Sequence, residues 1–323
     1  MRLRIATFNL ENFDDKPNEK PTLDERIALM RPQLLRLDAD VICLQEANGQ
    51  EQAGQPRQLL ALDKLLAGTQ YAGFNRISTM TGGQVYDERN LVILSRFEIL
   101  ESKQHKPEGE PEYRRITADP PDTAAVPVLW ERPILYAKLK LGAAQSLHVL
   151  NLHMKSKIPT DIPGQKLGRF TWKSAAGFAE GMFISSMKRV GQAVQVRKII
   201  DQLFDVSPGA LMTVCGDFNA DANEVPMQAI RGDVENTQNA QLATRVLVVC
   251  ESSVPEPARF SLYHEGHGIM LDHVLASRQL LAFYKGTQIH NELLHDESGL
   301  GASDRIYPES DHAPVVAEFE LPN

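Results

Sequence analysis

The stretch LMTVCGDFN, residues 211–219, is a short apolar run that closes on Gly216, Asp217, Phe218 and Asn219. A run of this length bounded by turn-forming residues reads as a buried strand over 211–215. Asp217 and Asn219 are two positions apart. In an extended chain they point the same way, and Phe218 points oppositely, into the core. The same event recurs on both sides of this stretch. Ile5-Ala6-Thr7-Phe8 runs into Asn9, Val41-Ile42-Cys43-Leu44-Gln45 into Glu46, and Val149-Leu150-Asn151-Leu152 into His153. Met270-Leu271 leads to Asp272 and His273, and Asp311-His312 precede a further strand over 314–319. Ligand sites of α/β folds gather where strand ends converge. Six ends carrying Asn, Glu, Asp and His suit a metal and a phosphate. Taken singly, each acid or Asn is more often a turn former or helix cap, and a lone His is more often structural. The order of the six and their neighbours carry the argument.

Other strands are expected at 3–9, 41–45, 91–95, 134–139, 147–152, 245–249 and 270–276. A helix is expected over 22–37, with Thr22 as N-cap, Glu25 closing a capping box and Pro32 as the source of a kink. Val190, Ala193, Val196, Ile200 and Leu203 recur at helical spacing and predict a second helix. Segments 102–127, 156–176 and 291–309 read as long loops, which in compact domains are often functional. The middle one holds Lys157, Lys166, Arg169 and Lys173 with Phe170 and Trp172. Aromatic plus basic character suits base stacking, an organic leaving group or a lipid surface. The plainest reading is a lid packed on the core. No linker-like shift in composition appears, so one domain over 1–323 is expected, although the chain exceeds the usual domain length.

Hydrophobic residues make up 42% and charged residues 24% of the chain, the balance of a globular protein with a sizeable core. The net charge of −8 excludes attraction of nucleic acid over the whole surface but leaves room for a local basic strip. Cys43, Cys215 and Cys250 lie in apolar runs and read as buried thiols, with no disulfide framework or zinc spacing. His264-Glu265-Gly266-His267 is one residue short of H-E-x-x-H and reads as a loop. No phosphate-binding glycine loop is present. No apolar run is long enough to span a membrane. A soluble chain is expected, cytoplasmic as it stands, or secreted or periplasmic had a signal peptide been removed. No obligate protein partner is evident.

Thr7-Phe8-Asn9, Leu44-Gln45-Glu46, Asn151-Leu152-His153, Gly216-Asp217-Phe218-Asn219, Leu271-Asp272-His273-Val274-Leu275 and Ser310-Asp311-His312-Ala313-Pro314-Val315 occur in this order across residues 7–315. The set resembles the endonuclease/exonuclease/phosphatase superfamily of deoxyribonuclease I-like, metal-dependent phosphodiesterases. The Gly-Asp-Phe-Asn and Ser-Asp-His-x-Pro-Val pieces are the most specific. The resemblance implies a four-layer α/β sandwich, two packed mixed sheets flanked by helices. It implies Glu46 as a principal ligand of a divalent cation, Mg²⁺ first with Mn²⁺ or Ca²⁺ as alternatives. Asn9 and Asp311 would complete that metal site, and Glu11 lies where it would join them. Hard cations take such oxygen ligands.

By the same resemblance Asp217 and Asn219 face the scissile phosphate. His312 lies beside it, oriented by Asp272, and His153 approaches from another side as hydrogen-bond or proton donor to the leaving oxygen. The water proton goes to either His312 or Asp217; the acid–histidine pairing favours His312. Asn90, Arg132 and Lys155 are candidates for substrate phosphate contacts, against a plain reading of surface or turn residues.

The expected activity is phosphodiester hydrolysis by in-line attack of water, on a nucleic acid or a small phosphodiester. The family's apurinic endonucleases usually have Tyr where His153 stands. Its 5-phosphatases carry a Pro-Ala-Trp-x-Asp-Arg segment absent here. His273 departs from the common Tyr or Arg at its place. The alternative is a sphingomyelinase- or phospholipase C-like lipid phosphodiesterase, which should show an exposed apolar hairpin; none is clear in the sequence. A non-catalytic scaffold would have lost metal or histidine positions, and none of the core positions is missing.

Overall fold

The computed structural model describes residues 1–106, 111–130, 132–142, 145–232, 234–296, 298 and 307–322. β1 (Arg2–Phe13) leads through α1 (Leu23–Leu37) to β2 (Val41–Ala47), and α2 (Leu60–Leu66), β3 (Asn75–Ser78) and β4 (Asn90–Ser95) follow. Next come β5 (Ile99–His105), β6 (Ile134–Lys140) and β7 (Ser146–His153). The 32-residue α3 (Ala175–Val206) precedes β8 (Leu211–Asp217) and α4 (Val225–Arg231). The remaining strands are β9 (Leu247–Val249), the hairpin pair β10 (Leu262–His264) and β11 (His267–Ile269), β12 (Asp272–Ser277), β13 (Tyr284–Ile289) and β14 (Val315–Glu320).

Two six-stranded sheets result. Their orders are β13-β14-β1-β2-β4-β3 and β9-β12-β8-β7-β6-β5. Each sheet has one parallel pair at its centre, β1 with β2 and β7 with β8, and every other pairing in it is antiparallel. The C-terminal ends of a parallel pair lie at one edge, and an antiparallel neighbour begins at that same edge. Hence Asn9, Glu46, His153 and Asp217 at strand ends share an edge with Asp272 at the start of β12 and His312 just before β14.

The layers follow from burial on both strand faces, which also explains why the strands are continuous apolar runs. Ile5, Val41, Cys43 and Ile93 meet Ala137, Val149, Cys215 and Val274 between the sheets. Ala6, Phe8, Ile42 and Leu44 pack outward on Ile27, Met30 and Leu34 of α1 and Leu62 of α2. Leu150, Leu152, Met212 and Val214 pack outward on Ala193, Val196, Ile200 and Phe204 of α3 and Met227 of α4. The architecture is therefore helix, sheet, sheet, helix, the expected four-layer α/β sandwich.

The Thr22–Glu25 capping box forms, and α1 runs through Pro32 without interruption. All three cysteines are free and buried. Glu265 and Gly266, both at positive φ, make the turn between β10 and β11, so the His264–His267 segment is a hairpin tip. Three expectations need correction. Segment 102–127 is not all loop, because β5 runs to His105 on an exposed sheet edge. Segment 156–176 ends inside α3, whose Ser174 cap accepts from the Gly177 N–H. The 245–249 strand starts at Leu247, since Arg245 closes a 3₁₀ turn. Positions 107–110 and 131, and 297 with 299–306 of the third loop, lie outside the described residues. No described helix is long and apolar enough to cross a membrane.

Candidate active site

Glu46 sits where the β1–β2 ladder is broken. Register holds from Ile5↔Val41 to Asn9↔Gln45 and resumes only at Phe13↔Ala47. Within this bulge Glu11, Asn12 and Glu46 all have positive φ. Non-glycine residues reach that region at a cost of order 1 kcal/mol each, so surrounding bonds must hold them there. They do: the Asn12 N–H donates to Glu46 Oε2 at 2.8 Å, and the Asp311 N–H donates to Glu11 Oε2 at 3.0 Å. Arg26 of α1 donates to the carbonyls of Leu10 and Glu11 from below. The bulge turns two consecutive stretches of β-strand into a cup that presents carboxylates to the edge of the sandwich.

On the second sheet Gly216 allows the close approach that builds its half. Its φ is +142°, and a Cβ there would lie 2.1 Å from the Leu152 carbonyl oxygen. The chain can then turn so that Asp217 lies in register with both His153 and Asp272. Asp217 accepts from the Asn219 N–H at 2.8 Å, from Asn219 Nδ2 at 3.0 Å and from Asn9 Nδ2 at 3.0 Å. The Glu11 N–H donates to Asn9 Oδ1 at 3.0 Å, which fixes the amide's orientation between a donor and an acceptor. Asn9 thus ties the carboxylate of the second sheet to the bulge of the first.

The histidines take different places around Asp217. His153 Nε2 lies 3.3 Å from Asp217 Oδ2 and 3.4 Å from Glu46 Oε1. His312 Nδ1 bonds Asp272 Oδ2 at 2.6 Å, leaving Nε2 4.0 Å from Asp217 Oδ2. Ser310 Oγ donates to the Asn9 carbonyl and accepts from the His312 N–H, which joins the 310–312 turn to β1. Ser261 Oγ accepts from the N–H groups of Leu271 and Asp272 and holds the start of β12. The structure therefore brings Asn9, Glu11, Glu46, His153, Asp217, Asn219, Asp272, Asp311 and His312 together.

Charge is distributed unevenly in this buried cluster. Burial works against the Asp217 anion, but His153, His312 and the Asn219 N–H outweigh it and hold its pKa well below the usual carboxylate range. Burial likewise opposes ionisation of Glu46, and His153, Arg132 and the Asn12 N–H outweigh it, so its pKa is lowered. Glu11 goes the other way: burial and the neighbouring Asp311 carboxylate push it up to about 8. Burial disfavours the His312 imidazolium, yet Asp272, Asp311 and Asp217 raise its pKa well above the ordinary value. His153 is lowered by burial and by Arg132.

The donor set fits a hard divalent cation. Glu11 and Asp311 crowd like charges in a buried place, an arrangement that a cation relieves. Among the described residues, the group of three whose ligand atoms all lie within 4.8 Å is Asp217, Asp272 and His312. In that trio the Asp272–His312 bond occupies Nδ1, so we read it as an acid–histidine pair. Glu46, Glu11 and Asp311 are the carboxylates left beside that pair, with the Asn9 amide oxygen held among them by the Glu11 N–H, and a cation that keeps its waters needs only one or two carboxylates.

Arg132 donates to the Met154 carbonyl at 3.0 Å and lies near enough to lower both Glu46 and His153. Lys155 is turned onto its own loop, donating to Ser156 and to the Ile158 carbonyl. Asn90 is corrected to a structural residue. It is fully buried, accepts from Thr79 Oγ1 and the Tyr86 N–H, and donates to the carbonyls of Ala47 and Tyr86. No atom of its amide is left for substrate.

Two residues quoted only as motif members turn out to hold the site. Gln45 Nε2 donates to Asn151 Oδ1 at 2.7 Å across the gap between sheets. Asn151 Nδ2 donates to the carbonyls of Leu44 and Val92, both at 2.9 Å. A polar residue interrupting an apolar run, one or two positions before a site residue, was the signal available in the sequence.

A family model described as "Endonuclease/Exonuclease/phosphatase family" matches residues 6–312. Among solved structures, an endonuclease/exonuclease/phosphatase family protein from Bacteroides thetaiotaomicron aligns with a TM-score of 0.62 at 16% identity, covering 99% of each chain. Truncated Caenorhabditis elegans TDP2 aligns at 0.58 and 14% identity, over 99% of this chain and 98% of its own. The 3′ phosphatase NExo from Neisseria, solved bound to a product DNA hairpin, aligns at 0.54 and 19% identity, over 99% and 100%. At these identities the likeness is one of fold. No curated protein sequence matches the chain.

Proposed function

Because the chain belongs to the endonuclease/exonuclease/phosphatase family, we propose that it is a divalent-metal-dependent hydrolase cleaving phosphodiesters, of nucleic acid or of small molecules, by in-line attack of water. The observation that carries this is the placing of His153 Nε2 within 3.4 Å of both Glu46 and Asp217, with the Asp272–His312 pair beside them. The site draws on residues from Asn9 to His312, so one catalytic domain spans the chain in this reading.

Glu46, Asp311, Glu11 and Asn9 would hold the cation, Mg²⁺ in our reading, which would supply Lewis-acid activation of a phosphoryl oxygen. Both N–H groups of the Asn219 amide are taken in the resting protein, by the Met154 carbonyl and by Asp217; in this reading substrate binding exchanges one of them for a second phosphoryl oxygen. Burial works against a charged His312, but Asp272, Asp311 and Asp217 raise its pKa well above the ordinary value and favour the imidazolium. In that state it binds the phosphate as a donor, and the ionised Asp217 carboxylate orients the attacking water. This shifts the proton-accepting role away from the histidine that the sequence favoured. His153 reaches the same Asp217 oxygen from β7 and, with its pKa lowered by burial and by Arg132, serves the leaving oxygen as a hydrogen-bond donor. Arg132 adds positive charge beside it.

One observation favours a lipid substrate as a second reading. Lys166 bridges Trp172 across a tight turn, and the tip exposes Leu167 at 71% and Phe170 at 81%. Two exposed apolar side chains on such a turn are the kind of feature a lipid-directed member would use, although Arg169 stands between them. The test is hydrolysis of plasmid DNA, RNA, sphingomyelin vesicles and bis(p-nitrophenyl) phosphate with Mg²⁺, Mn²⁺ or Ca²⁺. Metal-dependent cleavage of DNA or RNA supports the first reading, and preference for sphingomyelin supports the second. Full activity in excess EDTA rejects both.

A further inference from the structure

We propose that His273, held by the buried carboxylate of Glu251, is a positioning residue for the loop that presents Asp217 and Asn219 to substrate. The proposal rests on the reading above that this loop meets the scissile phosphate. Neighbouring residues of a strand face opposite sides of its sheet. On β12, Asp272 faces His312, and His273 faces the other way, onto the back of the Gly216–Ala220 turn.

His273 and Glu251 are both completely buried. A buried ionisable pair is weak evidence of stabilisation, because desolvation offsets much of the attraction. Its geometry here says what it does. His273 Nδ1 bonds Glu251 Oε1, and His273 Nε2 bonds the Ala220 carbonyl oxygen at 2.8 Å. A carbonyl oxygen only accepts, so Nε2 carries the proton and donates to it. The other oxygen of Glu251 accepts from the Val274 N–H, which fixes the carboxylate to the same strand. Glu251 itself belongs to the 3₁₀ turn Cys250–Ser253, which Tyr284 of the first sheet holds through the Cys250 carbonyl.

The turn receiving that bond needs it. Asn219 stands at φ +48°, a left-handed conformation uncommon outside glycine, which asparagine enters more readily than most residues but still only where bonds hold it. Besides the two bonds of its own side-chain amide, to Met154 and Asp217, three bonds keep it there. The Phe218 N–H donates to the Leu271 carbonyl, the Asn219 N–H to Asp217 Oδ1, and His273 to the Ala220 carbonyl. The first precedes the strained residue, the second is internal to the turn, and the third holds the chain just after it. Packing alone would not require an imidazole at 273. The Phe218 ring meets it edge-on at 5.3 Å between centroids, a contact that a phenyl ring would also make. What is specific to histidine is the donor.

The experiment uses full-length protein with Mg²⁺ and bis(p-nitrophenyl) phosphate. His273→Phe keeps the ring and removes the donor. His273→Gln places an amide N–H near the position of Nε2. We expect His273→Phe to lower kcat about tenfold through misplacement of the loop, with KM changed less than about twofold, and His273→Gln to recover most of that loss. Combined with Asn219→Ala, His273→Phe should cost less than about twofold more, because both act through one turn. Amide exchange over residues 217–220 should quicken in His273→Phe and not in His273→Gln. Equal losses in the two variants, or an undiminished tenfold loss in the Asn219→Ala background, overturn the proposal. If His273→Phe does not fold, Glu251→Leu leaves the donor unheld. It should give a kcat loss of about threefold or more, and wild-type kcat there is equally fatal. Full activity of Asn219→Ala would instead reject the reading of the site itself.

Discussion

Asn151→Leu isolates the bonds that join the two sheets behind the site. The side chains are similar in size, so the change removes hydrogen bonds without opening a large cavity. Three bonds are lost: two from Asn151 Nδ2 to the Leu44 and Val92 carbonyls, and one from Gln45 Nε2 to Asn151 Oδ1. At roughly 1 kcal/mol net for each, the loss is about 3 kcal/mol. Gln45 retains its bond to the Cys43 carbonyl, which keeps the figure from rising further. An unfolding entropy of about 2.1 cal/mol/K per residue gives about 0.7 kcal/mol/K for the whole chain. The melting temperature should therefore fall by about 4 °C, read by differential scanning calorimetry. Asn151→Asp should fall further, since it buries a charge facing two carbonyls. A fall of less than about 1 °C in both variants would refute the idea that these bonds hold the sheets together. Because Gln45 adjoins Glu46, kcat should drop in the same variants.

Glu46→Gln should lower phosphodiesterase activity by about a hundredfold or more while leaving the melting temperature nearly unchanged, because the amide keeps the shape and loses the charge that holds a cation. His312→Ala, Asp272→Ala and the double variant should show similar residual rates, since removing one member of a unit costs nearly as much as removing both; additive losses would show that the two act separately. His153→Ala should slow a diester with an alkoxide leaving group more than one with p-nitrophenolate, which needs no proton at neutral pH. An equal factor on both would make His153 a phosphate-binding residue. Glu180 of α3 accepts from the N–H groups of Ile116 and Thr117 and from the Tyr113 hydroxyl. Burial opposes its charge, but those donors with Thr117 Oγ1 outweigh it and lower its pKa. A lowered folded-state pKa means stabilisation that is present above the unfolded value and lost as pH falls through the folded one. Thermal melts of Glu180→Gln should thus lie below wild type at pH 7, with the gap closing below about pH 4.

Much of the site was legible because its residues end strands. A polar residue after four or five buried apolar ones is visible in any register, and the two parallel pairs carry four such ends to one edge. The Gly216 requirement was also visible, as glycine before an acid at a strand end. The bulge was not. Nothing in Glu11, Asn12 or Glu46 announces a positive φ, because that conformation exists only once β1 and β2 are paired out of register. Asn90 failed for a related reason: a polar residue opening a strand looks the same whether it meets substrate or bonds Ala47, Thr79 and Tyr86. β5 and β13 were missed because they are edge strands, where one face is wet and residues such as Lys103, Gln104, Lys285 and Gln288 hide the period.

The pairing of β1 with β14 sets an order in time. Arg4 and Glu318 bond across 314 positions of chain. During synthesis β1 and β2 emerge early, with Asn9 and Glu46, while the edge of β1 that will receive β14 stays open. His312 comes only with the approach of β14. A growing chain could thus present the carboxylates of the cup long before it holds the histidine beside the phosphate. Closure of one sheet edge and arrival of the last catalytic group are a single event. Recovery of hydrolytic activity in a refolding experiment should therefore track the docking of β14 and lag behind signals from the two cores. Non-local closures of this kind are slow steps, and an open strand edge in the meantime is a place for two unfinished chains to pair.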